Sequence, residues 1–440
     1  MTAAYVEDFK SLSTNGASLE PKWLRDVRRE GIERFAALGF PTPRNEDWHF
    51  TSVAPIAEAV FNPLRGGAGR IARSVLEPFS FGQSDWPLLV FVNGRYHVGL
   101  STLGMPGAKE GLKVRDLQTV LQEEPALAES MLGRISPVGD RAFTALNAAF
   151  MMDGAVVAIP PRYESAVPIH LVFLSDANAA KGVSHLRNLI FAGQHSKATV
   201  IESYVSLGDS HYFTNAVTEV SVAAGATLTH YKVQRESQRA FHVHTIDAEQ
   251  ERDSHYVSFS FDTGAALSRT NIYTNLAGEG CGATLNGLYM ADGEQHVDHQ
   301  TNIVHAQPNC FSREIYKGIL SGSAHGVFNG KVYVHPIAQK TDGKQTNNNL
   351  LLSERARIDT KPQLEIYADD VRCTHGATVG RLDEMALFYM KSRGVNADKA
   401  TRLLTYAFAA DVLETIEVEP VRAELERATL ERFTGASTAE

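Results

Sequence analysis

From about residue 183 to residue 370 the chain carries almost no helical periodicity. Short runs rich in Val, Ile, Thr, Tyr and Phe are instead cut off by Gly, Asn, Asp and Ser. Examples are 198–205, 216–222, 227–233, 256–261 and 285–290, with an earlier one at 88–92. Many alternate apolar with polar residues, the period-two pattern of a half-buried strand. A doubly wound α/β fold would need a helical crossover between most of these strands, and the spacing leaves no room for them. A sandwich, a barrel or a solenoid remains. The β-rich stretch is too long for one ordinary sandwich, so its length favours a β-helix in which each coil buries its face against the next. No strict sequence period is visible. The run Asn347-Asn348-Asn349 reads equally as a polar turn or as part of a stacked Asn ladder.

Helical patterns flank this core. Between Glu20 and Gly39, apolar residues fall at Leu24, Val27, Phe35 and Leu38, with Ile32 beside the stripe. Pro21 suits a first turn, and Gly39, Pro41 and Pro43 supply the stop. At the other end, 382–393 opens with Asp383 and Glu384 and closes with Lys391 and Arg393, in the order that complements a helix dipole. Gly394 terminates it, and Asn396 is placed to cap a second helix. In that helix Leu404, Phe408 and Val412 form one stripe, widened by Leu403, Ala407 and Ala410. A third segment, 420–433, is charged and amphipathic. The expected organisation is therefore a helical region over 1–85, a β-helix core over 86–376 with an irregular α/β lead-in to about 180, and a helical region over 377–440. The last reads either as a cap on the solenoid or as a docking module.

With 440 residues and 43% hydrophobic content, the chain can bury a substantial core. Its net charge of -9 argues against a nucleic-acid binder and against attachment to anionic lipids. The first residues, MTAAYVEDFKSLST, lack a basic segment followed by an apolar run, and no stretch approaches the ~20 apolar residues of a membrane span. Three cysteines, Cys281, Cys310 and Cys373, fit a reducing compartment, so the cytoplasm is expected.

The strongest local chemistry is Asp369-Asp370-Val371-Arg372-Cys373-Thr374-His375-Gly376. Cys373 and His375, two apart on an extended segment, project to one face. A thiolate and an imidazole so placed suit a soft or borderline metal such as iron. Taken by itself such a pair is more commonly a buried structural Cys beside a hydrogen-bonded His. Iron–sulfur clusters typically take four cysteines, and this chain has three, far apart. A cluster held here would need other ligands or a second chain. His296, His299 and His305, near Cys310, form another group, but His296 and His299 differ in strand parity. No HExxH closes a metal-hydrolase site, so polar β-helix positions are the favoured reading. Cys281 lies in the Gly-rich turn GEGCGA. There is no GxxxxGK[ST], no GxGxxG opening a βαβ unit and no GxSxG, so no catalytic constellation stands out.

The text from 327 to about 394, including VFNGKVYVHPIAQKTDGKQTNNNLLLSE and ADDVRCTHGATVGRLDEMALFYMKSRG, resembles the SufB/SufD family of iron–sulfur cluster assembly scaffolds. HVDHQTNIVHAQPNCFSREIYKGIL and, near the N-terminus, FPTPRNEDWHFTSV fit the same family. The Cys-Thr-His-Gly-Ala-Thr text is similar to the SufD form, whereas the SufB form usually carries His-Glu-Ala-Thr. The resemblance implies a right-handed parallel β-helix flanked by helical regions, acting as a non-catalytic scaffold. It implies pairing with SufB through the β-helix and docking of a SufC ATPase through the C-terminal helices, for which Leu404, Phe408 and Val412 are the candidate contacts. It further implies a nascent Fe–S cluster at the SufB interface, with His375 matching the interface histidine and Cys373 the cysteine beside it. A homodimer, or a structural β-helix partner without a metal role, is the alternative.

Overall fold

Corner residues set the architecture of the computed structural model, which describes residues 2–15, 20–59, 61–64, 71–103 and 111–432. His195, Gly225, Asp253, Gly280, Asn309 and Lys340 all adopt positive φ, one per coil. Left-handed backbone is easiest for Gly and tolerated by Asn and Asp, which is why such residues punctuate the strands. Each corner N–H donates to a carbonyl of the next coil: Gly225 to Arg252, Asp253 to Glu279, Gly280 to Pro308, Asn309 to Gln339 and Lys340 to Asp370. The residue that follows is small and buried: Ser196, Ala226, Ser254, Cys281, Cys310 and Thr341.

Between corners the chain runs straight, and successive strands alternate between two ten-stranded sheets. From Gly182–Ala192 to Arg372–Gly380 every pairing is parallel. One sheet ends at Arg357–Ile366 and the other at Arg372–Gly380. This is the expected parallel β-helix. The expected strand runs fall within Lys197–Ser206, Phe213–Val222, Thr227–Arg235, His255–Asp262 and Gly282–Ala291, and Leu88–Val92 is a strand as well. The terminal strand runs on to Gly380, past the anticipated boundary at 376. Residues 433–440 of the anticipated C-terminal region lie outside the described residues.

The flanking regions cover the outer faces of the sheets, the N-terminal one mainly the first sheet but with Leu76 and Phe81 on the second. On the first sheet, Val53, Ile56, Phe61 and Phe143 pack against Val183, Phe213, Phe241, Val243 and Leu267. The FPTPRNEDWHFTSV segment pins that contact. Arg269 lies 3.7 Å over the Trp48 ring and donates to the Asp47 carbonyl at 2.6 Å, while the Thr51 hydroxyl donates to Asp298 at 2.5 Å. The helix Lys22–Leu38 crosses Ala142–Phe150 closely at Gly31, where a Cβ would lie 2.7 Å from the Ala149 nitrogen. Within it Ile32 is buried with Leu24 and Phe35, whereas Leu38, expected in the stripe, is exposed. The buried face is centred closer to Ile32 than the spacing implied.

The second sheet is covered by the C-terminal helices Ala397–Leu413 and Glu419–Arg432, through Ala409, Val412, Leu413, Ile416, Val421 and Leu425. Asn396 caps its helix as expected, accepting from the Lys399 N–H, and Asp383 caps Glu384–Ser392, accepting from the Met385 N–H. Among the described residues no helix is long and apolar enough to cross a membrane.

Candidate functional site

The solenoid ends in open edges. Among the described residues, Arg372–Gly380 pairs only with Asp342–Leu351, and Arg357–Ile366 only with His325–Val334. A bare strand edge is a template for another chain, and proteins commonly blunt it with Lys or Pro. Arg357–Ile366 carries Lys361 and Pro362, whereas the strand RCTHGATVG has neither. Ile366, Tyr367 and Val379 stand exposed at the same end.

Cys373 and His375 lie on this last strand. Cys373 is in register with Gly343, and His375 with Gln345. Strand alternation turns both toward the solenoid interior, but among the described residues no further coil covers them. His375 is exposed and Cys373 half-buried. A Cβ on Gly343 would meet the Cys373 sulfur at 3.4 Å, so the glycine leaves the thiol its seat. Burial pushes the Cys373 thiol pKa up, and Asp342 adds to that effect.

Beneath His375 is a layer that sequence reasoning missed. Glu314, Gln345 and His375 are successive members of one column. Gln345 Nε2 donates to Glu314 Oε2 at 2.6 Å, and both side chains are buried. Burial pushes the Glu314 carboxyl up to about 7, against the pull of the Thr301 hydroxyl and the Gln345 amide.

The structure does not bring the other histidines together. His296 points outward, 2.8 Å from the Thr51 hydroxyl. His299 lies inside, stacked on Tyr289, and His305 bonds the Ser312 hydroxyl at 2.9 Å. Among the described residues no group of three or more His, Cys, Asp or Glu is arranged to hold a metal. Cys281 and Cys310 are corner residues, donating to the Glu251 and Gly278 carbonyls much as Ser254 donates to Glu251.

The family described as "SUF system FeS cluster assembly, SufBD core domain" matches residues 173–408, and "SufBD protein N-terminal region" matches 1–171. The chain belongs to the SufB/SufD family. Among SufB/SufD relatives, the "Iron-sulfur cluster assembly protein SufD" of Escherichia coli (strain K12) is 34% identical, covering 90% of this chain and 89% of that protein. A SufBD family protein of Synechocystis sp. is 33% identical over 92% of this chain and 90% of its own length. The SufD of Bacillus subtilis (strain 168) is 28% identical over 92% and 93%. Family and relatives alike support a role in iron–sulfur cluster assembly.

Of the amphipathic stripe expected to dock an ATPase, this SufB/SufD chain itself buries one residue fully and two in part. Val412 is fully buried against the second sheet. Phe408 is half-buried, with the Lys317 ammonium 4.5 Å from its ring and 2.7 Å from its carbonyl. Leu404 is also half-buried. The exposed apolar face belongs to Glu384–Ser392, where Met385, Phe388 and Tyr389 are 72%, 66% and 59% accessible. Their i, i+3, i+4 spacing puts them on one side of the helix.

Proposed function

We propose that this chain is a non-catalytic cytoplasmic scaffold that supplies part of a site for a nascent iron–sulfur cluster. The sister scaffold SufB completes that site, and a SufC ATPase docks on the C-terminal helices. The observation that carries the reading is the placement of Cys373 and His375, side by side and facing inward, on an uncapped last coil. A thiolate and a neutral imidazole are good iron ligands. Two ligands fall short of the usual four, and the other cysteines are committed to corners. The remaining ligands then come from the chain that pairs with the open edge. The cluster is cargo to be built and passed on.

For the ATPase, the exposed Met385, Phe388 and Tyr389 replace Val412 as the proposed contact, with Leu404 and Phe408 at its margin. A central aromatic in such a contact typically dominates binding. Phe388→Asp is therefore expected to reduce ATPase recovery at least about tenfold in pull-downs of the co-expressed complex, with the sister scaffold retained.

A second copy of this chain meets the same edge chemistry, so a homodimer is the reading if no sister scaffold binds. Co-expression with both partners, followed by anaerobic reconstitution and visible absorption, tests the proposal. Co-purification of all three chains with a cluster band supports it. A stable homodimer that ignores both partners and builds no cluster overturns it.

A further inference from the structure

The column beneath His375 contains an unanswered acceptor. Gln345 is almost wholly buried and spends its amide N–H on Glu314, while its Oε1 has no hydrogen-bond partner. Buried acceptors are normally satisfied, so an orphan needs a reason. Ionised, as it is above about pH 7, the Glu314 carboxylate can only accept, and so sets the polarity of the amide. With Nε2 committed to a carboxyl oxygen one coil inward, the carbonyl end is what Gln345 has left to offer. Gly330, across the interior, makes this placement possible, because a Cβ there would lie 2.0 Å from Gln345 Nε2.

The next residue outward in the column is His375. Adjacent rungs are about 4.8 Å apart, within reach of a ring N–H bonded to an amide oxygen. A metal-bound histidine almost always gives its other ring N–H to an oxygen acceptor, which fixes tautomer and ring angle. His375 is exposed on the last strand of its sheet.

We infer that Gln345, oriented by Glu314, is a positioning residue for His375, its Oε1 accepting the imidazole N–H once a metal occupies the other ring nitrogen. This rests on the reading of His375 as a cluster ligand. The proton stays on the ring nitrogen facing the solenoid interior, and the nitrogen facing the partner chain is left unprotonated to bind. Glu314 acts one step further back, by holding the amide against a flip.

The test is Co(II) titration of the co-expressed complex, read by its visible absorption, with Co(II) alone as probe. Gln345→Leu is expected to weaken Co(II) binding about tenfold, the size usual for an outer-shell partner. Gln345→Glu, which keeps an acceptor, is expected to stay within about twofold. Gly330→Ala leaves both chemical groups intact but displaces the amide, and is expected to match Gln345→Leu while the fold survives. In a His375→Ala background, Gln345→Leu is expected to add no further loss, the signature of two residues acting as one unit. Wild-type affinity in Gln345→Leu, or an equal loss with and without His375, overturns the inference. Co(II) binding indifferent to His375→Ala from the outset instead sinks the ligand reading on which it rests.

Discussion

His375→Ala is expected to assemble with its partners as the wild type does and to build no cluster. The imidazole is exposed, so its removal leaves no cavity and breaks no packing. Surface substitutions of that kind usually change stability by less than about 0.5 kcal/mol. A cluster site lacking one of its ligands, in contrast, loses its cargo. After anaerobic reconstitution of the co-purified complex, the visible band is expected to fall at least about tenfold, with partner recovery unchanged. Cys373→Ser is expected to weaken the band as well, since the hydroxyl fits the seat above Gly343 but is a poor soft-metal ligand. If His375→Ala prevents assembly, the residue is structural. If the band survives, His375 is not a ligand.

The second large effect concerns acid. Burial keeps several histidines neutral: His170 and His185, on the outer sheet faces beneath Phe81 and Trp86 and beneath Phe150, are pulled down to about 3, and His299 and His305, inside the solenoid, to about 4, from an ordinary value of 6.5. Below pH 6.5 the unfolded chain takes up protons at these positions and the folded chain does not. The stability they contribute is therefore complete above pH 6.5 and is lost as pH falls toward 4. At 1.36 kcal/mol per unit, His170 and His185 each account for about 3 kcal/mol by pH 4. Glu314 works the other way. Its raised carboxyl favours the folded state below its ordinary value, and that contribution is lost as pH rises through about 7, so it offsets only part of the loss on acidification. The denaturant midpoint of the isolated chain is expected to drop steeply between pH 6.5 and 4.5. His170→Leu, which gives up a bond to Ser203, should flatten that slope even where it lowers the midpoint at pH 7.5. A midpoint independent of pH would mean that these rings are hydrated or charged in the fold.

The β-helix was legible because a strand alternates every second residue whatever its neighbours are, and the expected runs all fall within strands. The coil period was not legible. Its one constant is backbone conformation, and a left-handed corner is filled by His195, Gly225, Asp253, Gly280, Asn309 or Lys340. Unequal coil lengths blur what remains.

At the candidate site, parity alone put Cys373 and His375 on one face. That their strand is the last of its sheet depends on the C-terminal helices turning aside to cover the outer face. Gln345 and Glu314 enter through register between segments far apart in sequence, which one chain's text does not encode locally. The burial of Val412 within the docking stripe was illegible for a related reason. Period identifies an apolar face but not what covers it, and Val412 is covered by this chain itself, whereas Phe388 is left open.

Hydrogen exchange across Arg372–Gly380, with and without the sister scaffold, addresses most directly whether a second chain completes the site at this edge. Edge amides that exchange freely in the isolated chain should slow by at least about tenfold in the complex, while the already paired strand His325–Val334 stays as it was. A complex that forms with full protection elsewhere and no change at 372–380 would place the contact on another surface and leave Cys373 and His375 without their missing half.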